Sequence, residues 1–177
     1  VRTRVTAAAL SGLLVLGLAG CTTPDPPEPA PTPGFSSEEE AFAAAEETYR
    51  AYVDALNQVD LSDPETFEAV YGWTTGDANA GERRSLSTMH ADGWTVTGET
   101  VVHSVELGAA ETEPDAVQIA VCSDVSGVDV IDESGTSVVT ADRPPMQAST
   151  VTLTGASQSP TGLLISAIEG GDHECGQ

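Results

Sequence analysis

Apolar residues recur at intervals of three and four from Phe42 through Ala45, Tyr49, Tyr52 or Val53, to Leu56, which predicts an amphipathic helix over residues 37–58. Ser37 followed by Glu40 is a capping-box pair at its start, and Glu38, Glu39 and Glu40 place negative charge on the positive end of the helix. Asp63-Pro64 then opens a short second helix carrying Phe67, Val70 and Tyr71. Gly72, Gly76 and Gly81 are expected to break the chain before a weaker helix from Glu82 to Ala91, which Gly93 stops. Beyond Trp94 the period falls to two. One long strand is predicted from Trp94 to Leu107, with Val101, His103, Val105 and Leu107 on one face and a bulge at Gly98. Ala116–Val125 alternates Val117, Ile119 and Val121 against Gln118, Ala120, Cys122 and Asp124. Val128–Ile131 and Thr136–Thr140 flank the turn residues 132–135 as a hairpin, and Met146–Leu153 and Leu163–Glu169 complete the strands. Helices first and an antiparallel run of strands afterwards is an α+β pattern.

The first twenty residues carry a different signal. Arg2 and Arg4 precede an uncharged apolar run from Val5 to Ala19, shorter than the roughly 20 residues that span a bilayer. The run ends in small residues, as a cleaved leader does. Leu18-Ala19-Gly20-Cys21 resembles the lipobox of the bacterial lipoprotein signal family. That resemblance implies a diacylglycerol on the Cys21 sulfur, cleavage before Cys21, and a mature chain held by lipid on the outer face of the cell membrane. The rival reading is an ordinary secretory leader with a cysteine after its cleavage site. On that resemblance, residues 1–20 are expected to be a signal peptide, 21–35 a lipidated cysteine and tether, and 36–177 the folded domain. Six prolines lie between Thr22 and Gly34; in extended form, at about 3.1 Å per residue, such a tether spans roughly 40 Å.

Charge narrows the partners. The chain has 28 acidic residues, no lysine, and outside the leader only Arg50, Arg83, Arg84 and Arg143. So acidic a body repels phosphate backbones and anionic headgroups, which excludes nucleic acid and a domain lying flat on the membrane. The absence of lysine beside abundant Ala, Gly, Val and Thr fits a GC-rich genome. No cofactor motif is present.

With Cys21 taken by lipid, Cys122 and Cys175 remain, and an oxidising compartment favours a bridge between them. Two free thiols and a metal site are the alternatives, and the cysteines lack the histidine spacing of common metal motifs.

A long first helix, a short capped helix, a third helix and a curved sheet resemble the nuclear-transport-factor-2-like, or cystatin-like, α+β cone. Lipobox, proline tether, the Ala120–Gly127 stretch and the placement of Cys122 and Cys175 resemble a group of secreted actinobacterial lipoproteins. The resemblance implies helices packed in the concave face of a sheet, often with a pocket, and pairing through the exposed sheet face, so that a monomer or weak homodimer is expected.

Some relatives of that fold are isomerases and cyclases that use an Asp or His deep in the cone. His103, on the apolar strand face, is the candidate base here. His90 and Asp92 read as the solvated end of the third helix, and His173 as part of a solvated tail. Ser126-Gly127 reads as a turn rather than a nucleophile elbow, and Asp124, Asp129 and Asp132 lack the dense carboxylate loop of a calcium site. Tyr49, Tyr52, Trp73, Met89, Trp94 and His103 are the candidate pocket residues. The function expected is a non-enzymatic binding or accessory module for a protein, a cell-wall component or a small apolar ligand. An isomerase or cyclase using His103 is the alternative.

Overall fold

In the computed structural model, residues 34–108 and 116–176 are described. Cys21, the expected leader and nearly all of the expected tether lie outside them. Helix α1 spans Glu38–Leu56. Ser37 Oγ accepts the Glu40 amide at 3.1 Å, and the Glu40 carboxylate reaches back to the Ser36 amide at 2.9 Å. The return arm of the cap therefore falls one residue earlier than in the usual capping box. The Ser36 hydroxyl and amide hold the Glu40 carboxyl below its ordinary range. Ala41, Ala45, Thr48, Tyr49, Tyr52, Val53 and Ala55 form the buried face of α1. Phe42 and Leu56, expected at its centre, are half-buried at its margin.

A single 3₁₀ turn, Pro64–Thr66, is capped by Asp63, whose carboxylate accepts the Glu65 amide. It leads into α2 (Phe67–Tyr71), where Phe67, Val70 and Tyr71 are buried as the pattern requires. Helix α3 runs from Gly76 to Ala91, six residues longer at its start than expected. The reason is tertiary. The segment before α3 joins the sheet, the Thr75 amide bonding to the Ile165 carbonyl at 2.7 Å and the Ile165 amide to the Trp73 carbonyl at 3.0 Å. Asn79 then ties the Tyr71 carbonyl and the Thr74 hydroxyl to the first turn of α3. Gly81 inside that helix costs about 1 kcal/mol relative to alanine, which packing of α3 on the sheet offsets.

Strands β2 (Val101–Leu107), β3 (Ala116–Asp124), β5 (Met146–Gly155) and β6 (Leu163–Gly170) form one antiparallel sheet in the order β2-β3-β5-β6. Strands β1 (Thr95–Thr97) and β4 (Asp129–Ile131) form a separate two-stranded ribbon. The single strand expected from Trp94 to Leu107 is thus two, divided at Gly98. Gly98 has φ +80°, and a Cβ there would lie 1.9 Å from the Gly127 carbonyl oxygen. Two turns are stacked main chain on main chain, and the chain must change sheets to pass between them.

Two bulges bend the main sheet. Val102 pairs with Ser123 and Ser104 with Cys122, leaving His103 as the extra residue. In β6, Ser166 is passed over between Ile165 and Ala167. Each extra residue curves its strand. The concave side carries Ile119, Val121, Val151, Leu153, Leu163 and Ile165, all fully buried beneath the helices. The second hairpin arm expected at 136–140 is reduced to one bridge, Ile131 to Ser137. Asp132 accepts the amides of Ser134 and Thr136, so the turn takes the groups a ladder would use.

After β6 the chain doubles back. The Gly171 amide bonds to the Ala148 carbonyl at 2.9 Å, and Cys175 is disulfide-bonded to Cys122 on the outer side of β3. Element order and layering make this an α+β fold, three helices covering one face of a curved antiparallel sheet, the arrangement that the cone resemblance implies.

Candidate functional site

The concave face is filled from α1. Tyr49 and Tyr52 lie one turn apart, their ring centroids 5.9 Å from one another, and both are buried. The Tyr52 hydroxyl donates to Glu82 Oε1 of α3 at 2.6 Å, a charge-assisted bond of the stronger kind. Burial, and then the Glu82 charge, push the Tyr52 phenol well above the ordinary tyrosine range. Burial also raises Tyr49, and its 3.4 Å contact with Ser123 Oγ partly opposes the rise. Lower on the same helix, Thr48 donates to the Ala44 carbonyl at 2.7 Å, and its oxygen lies 2.6 Å from the Thr161 hydroxyl.

Tyr52 reaches the floor of an open cleft between α3 and β6. The cleft measures about 470 Å³ and is walled by Asp77, Glu82, Ser85, Ile168 and Glu169. Its chemistry is that of an acceptor: three carboxylates, with the one buried phenol turned onto Glu82. A second groove of about 540 Å³ lies by the far end of α1, lined by Leu61, His90, Trp94 and Val96. His90 does not merely end α3 in solvent as expected. Its Nδ1 lies 2.6 Å from the Leu61 carbonyl, and since a carbonyl only accepts, Nδ1 carries the proton.

The six residues expected to share a pocket are placed apart. Tyr49 and Tyr52 are in the core, and Trp73 is half-buried beside the Thr74–Ile165 bridge. Met89 packs in the last turn of α3, and Trp94 stands in the second groove. His103 is the correction of most consequence. As the bulged residue it leaves the strand's alternation, and its side chain is exposed near Asp124, not inside the cone. The Asp124 carboxyl sits below its ordinary range, mainly through the Ser126 hydroxyl and amide, with a smaller pull from His103. The bulge also turns Val102, rather than Val101, toward the core; Val101 is 57% exposed.

The acids weighed for calcium each serve a local turn, Asp124 through Ser126, Asp129 through Ser137 and Asp132 through Ser134. Ser126 and Gly127 form the expected turn, closed by the Val128 amide on the Val125 carbonyl. Arg143 gives no functional signal in the sequence, yet its guanidinium donates to the carbonyls of Val125 at 2.7 Å and Val128 at 2.6 Å. His173, expected in solvent, is half-buried, with Nε2 3.1 Å from the Val121 carbonyl. Among the described helices, none is long and apolar enough to cross a membrane.

No protein-family model matches the chain, and no curated protein matches it. Solved structures of similar arrangement include a Catenulispora acidiphila protein in complex with S-DNPA. It is 14% identical with a TM-score of 0.47, over 75% of this chain and 92% of that one. VirB8 of Agrobacterium tumefaciens is 12% identical with a TM-score of 0.42, over 81% of this chain and all of the other. The periplasmic domain of DotI is 17% identical with a TM-score of 0.42, over 77% and 96% of the two chains. At these values nothing about ligand or partner passes from those proteins to this one.

Proposed function

We propose that the chain is an extracytoplasmic lipoprotein, held to the outer face of the cell membrane by lipid on Cys21, whose cone domain binds a partner rather than catalysing a reaction. The observation that carries the binding reading is the mutual satisfaction of the concave face: Tyr52 with Glu82, and Tyr49 with Ser123. The buried Tyr52 phenol and the Glu82 carboxylate are spent on one another. The alternative, an isomerase or cyclase with His103 as base, needs an imidazole beneath the helices, and His103 is exposed on a bulge. The Cys122–Cys175 bridge supports an oxidising compartment. What the domain offers a partner is acidity: the chain has 28 acidic residues and Asp77, Glu82 and Glu169 line the cleft between α3 and β6, so the partner favoured is a basic protein segment.

Cells expressing the chain in the presence of labelled palmitate test the anchor. The label is expected in the protein and in the membrane fraction, and Cys21→Ser is expected to remove both. Membrane retention and labelling unchanged in that variant would overturn the anchor. Crosslinking on intact cells tests binding, with capture expected to weaken as ionic strength rises. Capture indifferent to salt would exclude the acidic surface.

A further inference from the structure

The disulfide has a third member. The sulfurs of Cys122 and Cys175 and a ring nitrogen of His173 all lie within 4.8 Å of one another. Sequence spacing gives no hint of this, because Cys122 comes from the middle of the sheet and the other two from the tail. The ring of His173 is held through one of its nitrogens. Its Nε2 faces the Val121 carbonyl at 3.1 Å, which fixes the proton on Nε2 and leaves Nδ1 with a free lone pair. The seat is shaped for the ring as well. A Cβ on Gly171 would lie 2.7 Å from Nδ1 and 2.6 Å from Cε1, so a side chain there would push the imidazole aside. Nor does the tail depend on the bridge alone, since the Gly171 amide is bonded to the Ala148 carbonyl.

We propose that, once the disulfide is reduced, Cys122, Cys175 and His173 form a three-coordinate site for a copper(I) ion. Two thiolates and one imidazole are a soft donor set, and three donors suit copper(I) better than zinc, which seeks four. The reductant is a dithiol. It gives two electrons and two protons to the S–S bond and becomes a disulfide itself, leaving two thiols on this chain. Copper(I) then replaces the two thiol protons, which pass to water, and two copper–sulfur bonds and one copper–nitrogen bond form. No change of copper oxidation state is involved.

The test uses the full chain purified in detergent, reduced, freed of reductant under nitrogen and titrated with copper(I) against a colorimetric chelator. One copper per reduced chain is expected, with thiolate-to-copper absorption in the ultraviolet, and none for the oxidised chain. His173→Ala is expected to weaken binding at least about tenfold, and Gly171→Ala, which displaces the ring, to weaken it too. If reduction loosens the domain, copper(I) must restore its melting temperature. Equal affinity of wild type and His173→Ala, binding by the oxidised chain, preference for zinc over copper(I), or no recovery of melting temperature would each overturn the proposal.

Discussion

Asn57 and Thr100 hold one another by two hydrogen bonds of 2.9 Å. The Asn57 amide donates to the Thr100 carbonyl, and the Thr100 amide donates to Asn57 Oδ1. A side chain at the end of α1 thereby pairs with the main chain before β2 as a neighbouring strand would. Removing it leaves a half-buried donor and acceptor unmet. Asn57→Ala should destabilise the domain by about 1–3 kcal/mol, read from urea denaturation; a loss below measurement error would refute this role.

Gly98 and Gly135 separate two effects that glycine usually combines. Both have positive φ, +80° and +83°, but a Cβ on Gly135 would meet nothing within 4 Å. Gly135→Ala should cost about 1–2 kcal/mol from backbone strain alone. Gly98→Ala adds collision with the Gly127 carbonyl and should cost a further 2 kcal/mol or so. Equal losses in the two variants would mean that the stacked turns can part freely.

The Cys122–Cys175 bridge closes a loop of 53 residues, for which lost chain entropy corresponds to about 4 kcal/mol. Replacing both cysteines by serine should lower thermal stability accordingly. An unchanged melting temperature would sink this expectation.

Alkaline pH should unfold the domain early. Tyr52 and Tyr49 have folded-state pKa values raised above the ordinary value of 10.0, so unfolding exposes phenols that ionise more readily. That stabilisation is complete below about pH 10 and is lost above it, at up to about 1.4 kcal/mol per pH unit for each phenol. Tyr52→Phe should flatten the decline between pH 10 and 12 in a denaturation series. A profile identical to wild type would show that Tyr52 does not contribute.

Periodic segments were the legible part of this sequence. The buried face of α1, the alternation of Val117, Ile119 and Val121, and the pairing of Cys122 with Cys175 follow from local pattern and cysteine count. Failures arose where distant main chain intervened. Nothing near Gly76 announces that Thr75 will bond to Ile165, and α3 begins early for that reason. Nothing near Gly98 announces Gly127. His103 misled because a strict period of two was carried across a bulge, and one extra residue moves a side chain to the other face. The Tyr52–Glu82 pair, thirty residues apart on two helices, leaves no trace in either helix's own sequence.

Phe35, where the folded domain begins, lies against Gly162 at the turn between β5 and β6. Helix α1 then carries the chain about 28 Å away before Asn57 and the Trp94 groove are reached. The molecule therefore has a stem pole and a crown pole. Any pull transmitted through residue 34 enters at the stem, at the start of α1 and beside the turn that leads into β6, while the β1–β4 ribbon stands at the crown, out of the line of force.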